Sequence, residues 1–144
     1  MASVQKSVLV PYSATRMFDL VEHVEDYPLF LPWCAGAKTL ERRTEEALVR
    51  IDINYHGVRA HFTTANRSQP PELIVIELRD GPFRHLDGAW RFRALAPAAS
   101  KVELELHYEF AGPVLERLIG PVFSHIANTF IDAFVRRAEI VYAA

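Results

Sequence analysis

One cysteine, three lysines and no long apolar run mark what this 144-residue chain does without. Lone Cys34 excludes an internal disulfide and any zinc site built on several thiolates. Beside Trp33 it reads as a small buried hydrophobe. No segment approaches about 18 consecutive apolar residues, and the opening MASVQKSVLV lacks the apolar run of a signal sequence. The expectation is a soluble, cytoplasmic protein. A net charge of −2 supplies no broad pull towards nucleic acid or acidic lipid, so DNA is not an expected partner. The scarcity of lysine leaves arginine supplying 13 of the 16 basic residues. Two readings of that bias stand: genome composition, or guanidinium forks that pair with phosphate.

What is present first is alternation. From 37 to 110 apolar and polar residues change places with a period of two, as in Val49, Ile51, Ile53 and Tyr55 against Arg50, Asp52 and Asn54. Val58, Ala60, Phe62 and Thr64 repeat the pattern, as do Trp90 with Phe92, and Leu104, Leu106 and Tyr108. This predicts antiparallel strands with one covered and one wet face. Turns are expected at His56-Gly57, Pro70-Pro71, Asp87-Gly88 and 96–100. Residues 3–10 read as a further strand. Ser13 then reads as the N-cap of a helix running to about Val24.

The covered face requires a cover, and the last thirty residues provide one. On a helical wheel Leu115, Leu118, Ile119, Val122, Phe123, Ile126, Phe130, Phe134 and Val141 share one side. Such a helix spans about 45 Å at roughly 1.5 Å per residue, enough to cross a sheet diagonally. Gly120-Pro121 is expected to kink or split it, and Arg137, inside the apolar arc, to snorkel past the sheet edge. The architecture is α+β, a helix-grip arrangement: a curved antiparallel sheet around a long C-terminal helix, with small helices after the first strand, in one domain over 1–144.

The stretch DYPLFLPWCAG at 26–36 fits neither pattern. Its prolines cannot pair inside a sheet, yet its aromatics are too apolar for water. It either plugs the core or folds down as a lid over a cavity; DGPF at 80–83 is its expected counterpart on another rim. The inward strand positions offer only tyrosine hydroxyls as polar groups, and no metal-ligand spacing, phosphate loop or nucleophile motif appears. Catalysis is therefore not expected, and no metal or required cofactor.

VPYSA at 10–14, DYP at 26–28 with Phe30, Pro32 and Cys34, DGPF, Gly88 followed by Trp90 and Phe92, and FVRRA at 134–138 occur in this order. Together they resemble the RatA-type and coenzyme Q-binding branch of the START-like superfamily. The resemblance implies a START-like cavity protein without catalysis. It implies two activities: binding of ubiquinone or a related polyprenyl quinone in support of respiration, or a toxin's attack on the large ribosomal subunit that blocks subunit joining. The first is the leading expectation, with transient membrane contact for exchange of the hydrophobic small molecule. Its ligand residues are Tyr27, Phe30 and Trp33 from the lid; Tyr55, Phe62, Trp90, Phe92 and Tyr108 from strands; Phe83 from the DGPF turn; and Phe123, Phe130 and Phe134 from the helix. Tyr27, Tyr55 and Tyr108 are assigned to a quinone head. The second activity would use outward Arg50, Arg59, Arg67, Arg91 and Arg93 on RNA phosphates.

Overall fold

The computed structural model describes residues 2–142. Strand β1 (Ala2–Val10) leads into helix α1 (Ala14–Glu22) and a 3₁₀ segment (Val24–Leu29). Six strands follow: β2 (Cys34–Arg42), β3 (Glu46–Tyr55), β4 (Val58–Gln69), β5 (Leu73–Asp80), β6 (Phe83–Ala96) and β7 (Ala99–Phe110). Helix α2 (Pro113–Val141) closes the fold. The sheet order is β1-β7-β6-β5-β4-β3-β2, with every neighbouring pair antiparallel. Strict alternation along β7, where Val102, Leu104, Leu106, Tyr108 and Phe110 are all buried, shows that one face is covered. The helix-grip arrangement is the observed fold.

Ser13 caps α1, its hydroxyl accepting from the Arg16 amide at 3.1 Å. The helix stops at Glu22, two residues short of the expected end. A 3₁₀ segment then carries Pro28 internally and turns Tyr27 into the core, leaving Pro28 and Leu29 exposed. The DYPLFLPWCAG stretch is thus a folded cover whose last residues, from Cys34, already belong to β2.

Asp87-Gly88 is not a turn. Both residues lie inside β6, Gly88 opposite Leu106 on β7 and Ile76 on β5. A Cβ at Gly88 would stand 2.3 Å from the Glu105 carbonyl oxygen and 2.7 Å from Leu106 Cδ2. The glycine marks a close approach of side chain and backbone across the sheet, one of the meanings glycine has within a strand. At the DGPF turn, by contrast, Gly81 has φ of +148° and a Cβ there would meet Phe62 Cβ at 2.7 Å.

Helix α2 runs through Gly120-Pro121 without a break. Pro121 is exposed, and the carbonyl that loses its helical partner belongs to Arg117, also exposed, where solvent can take up the bond. Burial extends from Ile119 to Ala138, so the first and last turns overhang the sheet. Leu118 and Val141, expected on the covered side, are exposed for this reason, and Ala127, Ile131 and Ala133 are buried. By length and composition α2 is apolar enough to cross a membrane, more than the sequence reading allowed; here its central stripe packs on the sheet.

Candidate functional site: a cavity between sheet and helix

Between the inner sheet face and α2 lies a cavity of about 210 Å³. One water needs only about 10–15 Å³ of such space, so the gap is not a packing defect. Trp33, entering from the segment before β2, Trp90 on β6 and Phe130 on α2 make an aromatic wall; each indole lies 5.7 Å from the Phe130 ring. One end is closed by an aromatic cluster in which Phe123 lies 4.9 Å from Phe83, 4.8 Å from Tyr108 and 6.1 Å from Phe62. The other end opens among the C-terminal end of α1 (Glu22), the β2–β3 hairpin (Arg42, Arg43, Thr44, Glu45) and the β4–β5 turn (Pro70).

Six of the expected ligand residues line this space: Tyr27, Trp33, Phe62, Trp90, Phe123 and Phe130. The other six do not. Phe134 is fully buried behind the wall, 5.3 Å from Tyr27 and Trp90. Phe92 stacks on Trp90 but turns to Phe18 of α1. Phe30 packs on Phe134 and lies under the Arg137 guanidinium at 5.3 Å. That contact is how Arg137 is accommodated inside the apolar arc, with its Nε buried and unpaired. Phe83 and Tyr108 belong to the closed end, so DGPF seals the gap where a rim was expected. Tyr55 stands outside, stacked on His125 at 5.6 Å.

The tyrosine hydroxyls therefore do not serve the cavity. Tyr27 Oη donates to the Val21 carbonyl, and burial, with Cys34 and Glu25 adding, holds its phenol far above the ordinary range. Burial also raises Tyr108, whose hydroxyl lies beside Ser124 in a separate surface cleft. Cys34 is pushed up to about 11 by burial, and its thiol donates to the Gly36 carbonyl.

Apart from the tryptophan indoles and the polar and charged residues at the mouth, the polar side chains that line the cavity come from β4: Thr64, Asn66 and Ser68. Thr64 is buried and its hydroxyl donates to Asn66 Oδ1 at 2.7 Å. The signal was available, because the alternation of Val58, Ala60, Phe62 and Thr64 extends by two more steps to these residues. Their polarity, against the apolar inner face elsewhere, hid them.

On the outer face four of the five expected RNA contacts are already engaged. Arg50 pairs with Asp52 at 3.0 Å, Arg67 with Glu46 at 3.1 Å, Arg91 with Glu105 at 3.3 Å and Arg93 with Glu103 at 3.7 Å. Arg59 has no ion-pair partner among the described residues, and neither has Lys38 on β2. No group of three His, Cys, Asp or Glu suited to a metal occurs among the described residues.

Residues 10–135 match the polyketide cyclase / dehydrase and lipid transport family. The chain is 41% identical over 141 residues, 96% of each protein, to a ribosome association toxin RatA from Pseudomonas aeruginosa. It is 23% identical to a mitochondrial coenzyme Q-binding protein COQ10 homolog B from Xenopus laevis, covering 58% of that protein. Neither name denotes an enzyme. Among solved structures, an aromatase/cyclase from Streptomyces sp. R1128 superposes with a TM-score of 0.86 over 99% of this chain and 96% of the other, at 18% identity, which speaks for the fold alone. The chain belongs to the polyketide cyclase / dehydrase and lipid transport family of START-like proteins, on the branch that holds RatA-type and coenzyme Q-binding proteins.

Proposed function

We propose that this protein associates with the ribosome and acts by binding, with a hydrophobic ligand held in its cavity. The observation that carries the ribosomal reading is end-to-end similarity at 41% identity to a protein named for ribosome association, against 23% and partial coverage for the coenzyme Q-binding relative. This reverses the order of the two readings drawn from the sequence. The partner is the large subunit, as the RatA-type resemblance implies, and the place of action is the cytoplasm. The contact surface lies on the β2–β4 side of the sheet, where Lys38 and Arg59 are free to meet phosphate, and not on β5–β7, where Arg91 and Arg93 are neutralised.

The cavity supports the second element. Aromatic and aliphatic walls of this kind suit an apolar ligand, a polyprenyl quinone among them. The polar groups of β4 that line the cavity are neutral, and the carboxylates of Glu22 and Glu45 stand at its open mouth; this favours binding over catalysis.

Co-sedimentation with large ribosomal subunits across a salt series tests the main reading. Binding should weaken with salt, and Lys38→Ala with Arg59→Ala should lower the salt slope by about one phosphate contact per cation removed. Absence of co-sedimentation at low salt overturns it. Lipid extraction with mass spectrometry, and saturable quenching of Trp33 and Trp90 by a short-tailed ubiquinone, test the ligand separately. A protein that extracts empty and shows no quenching well above micromolar quinone holds no such ligand.

A further inference from the structure

The cavity has two unlike walls, and their difference selects a ligand chemistry. The aromatic wall of Trp33, Trp90 and Phe130 is apolar apart from the indole N–H of each tryptophan. The β4 wall offers three polar side chains at successive inward positions, spaced by about 6.6–6.8 Å per two residues. Thr64 is buried and Asn66 and Ser68 are half-buried, so each polar group needs a partner from the chain, from water or from a ligand. Thr64 solves this locally by donating to Asn66 Oδ1. Neither the Asn66 amide nitrogen nor the Ser68 hydroxyl has a hydrogen-bond partner among the described residues, although both residues line the cavity. The amide nitrogen is a donor only, and it is aligned by the Thr64 bond that occupies the oxygen.

We infer that Asn66 and Ser68, with Thr64 holding the amide in place, form the head-recognition strip for an elongated apolar ligand ending in a neutral, oxygen-bearing group such as a carbonyl or hydroxyl. The inference rests on the proposed ligand reading and adds the chemistry of the ligand's polar end. A neutral head fits the charges on this side, which are of both signs: Arg67 points outward to Glu46, while Arg42, in the row of Asn66 with Ala47 between them, and Arg43 line the mouth together with Glu22 and Glu45. It lies in the mouth-side half, because register puts Thr64 nearest the aromatic plug, with Asn66 opposite Ala47 and Ile76 and Ser68 opposite Ile74, successively further out. The apolar remainder then faces Phe62 and Phe123 at the closed end. This assignment replaces the tyrosine hydroxyls, which are spent elsewhere or lie outside.

The test uses the full chain, stripped of lipid, with tryptophan emission as the readout and three probes of equal chain length: dodecane, 2-dodecanone and dodecanoate. The ketone is expected to bind about tenfold more tightly than the alkane, the fold-change of one well-made hydrogen bond, and more tightly than the carboxylate. Asn66→Leu removes the donor at near-constant volume and should abolish the ketone's advantage while leaving or improving alkane binding. Ser68→Ala, milder for folding, should reduce the advantage in the same direction. Circular dichroism checks that both variants fold. Equal binding of ketone and alkane by the unaltered chain, preference for the carboxylate, or unchanged ketone preference in both folded variants overturns the strip while the ligand reading stands. No response to any probe overturns the ligand reading itself, and the strip with it.

Discussion

The two faces of one sheet obey different physics. Inside, side chains from strands and α2 meet without water: Phe134 is wholly buried among Tyr27, Phe30, Trp90 and Phe130. Outside, the same strands carry charge in cross-strand ion pairs such as Arg91–Glu105 and Arg93–Glu103, with both partners partly in water. Burial contributes roughly 25 cal/mol per Å² of apolar area, whereas exposed pairs contribute about 0–1 kcal/mol. The inner face holds the fold. The outer face decides which charges remain available to a partner.

The largest break in this contrast should come from Phe134→Ala. With the ring fully enclosed, the loss is expected at about 3–5 kcal/mol, read from urea unfolding. Phe130→Ala sharpens the distinction within the inner face itself. Its ring borders an existing cavity, so fewer contacts are lost, and the cost should be about 1–3 kcal/mol with a larger ligand space. Equal costs for the two would mean that the cavity is closed up in solution.

On the outer face Arg91→Ala with Arg93→Ala should change stability by no more than about 1 kcal/mol. The same variant should leave co-sedimentation with ribosomal subunits nearly unchanged, in contrast to the Lys38 and Arg59 pair. A strong loss of ribosome binding would relocate the contact to β5–β7.

The smallest effect concerns acid. Glu105 is held below the ordinary carboxylate range by the His107 ring at 2.6 Å and then by Arg91 at 3.3 Å. With the folded pKa below the unfolded one, the stabilisation is present above the ordinary value of 4.5 and is lost as pH falls through the lowered folded value. His107→Gln should flatten the acid limb of the stability–pH curve slightly. An unchanged acid limb would mean the pair contributes nothing on a solvated face.

Much of this was legible residue by residue. Alternation put Trp90 inward and Arg91 outward, and the wheel put Phe123, Phe130 and Phe134 against the sheet, because a period of two or 3.6 is a property of the local chain. Gly88 was misread for the complementary reason. A glycine after an aspartate has the composition of a turn, and only the approach of Glu105 and Leu106 from β7 shows why it stands within a strand. The same limit applies to the tyrosines: nothing local to Tyr27 reveals that its hydroxyl is taken by Val21 on the preceding helix.

The sequence by itself determined the element types, the covered face and the aromatic residues available to wall a gap, since each follows from backbone geometry and hydrophobic period over a few neighbours. Only the tertiary structure decided which polar groups are left unpaired, and those are the ones that the proposed contacts would use. Arg91 is satisfied by Glu105 and Arg67 by Glu46, whereas Asn66 and Arg59 keep donors free. Each outcome depends on strand register between segments distant in the chain, and hydrogen bonds and ion pairs act only at the few ångströms that register sets.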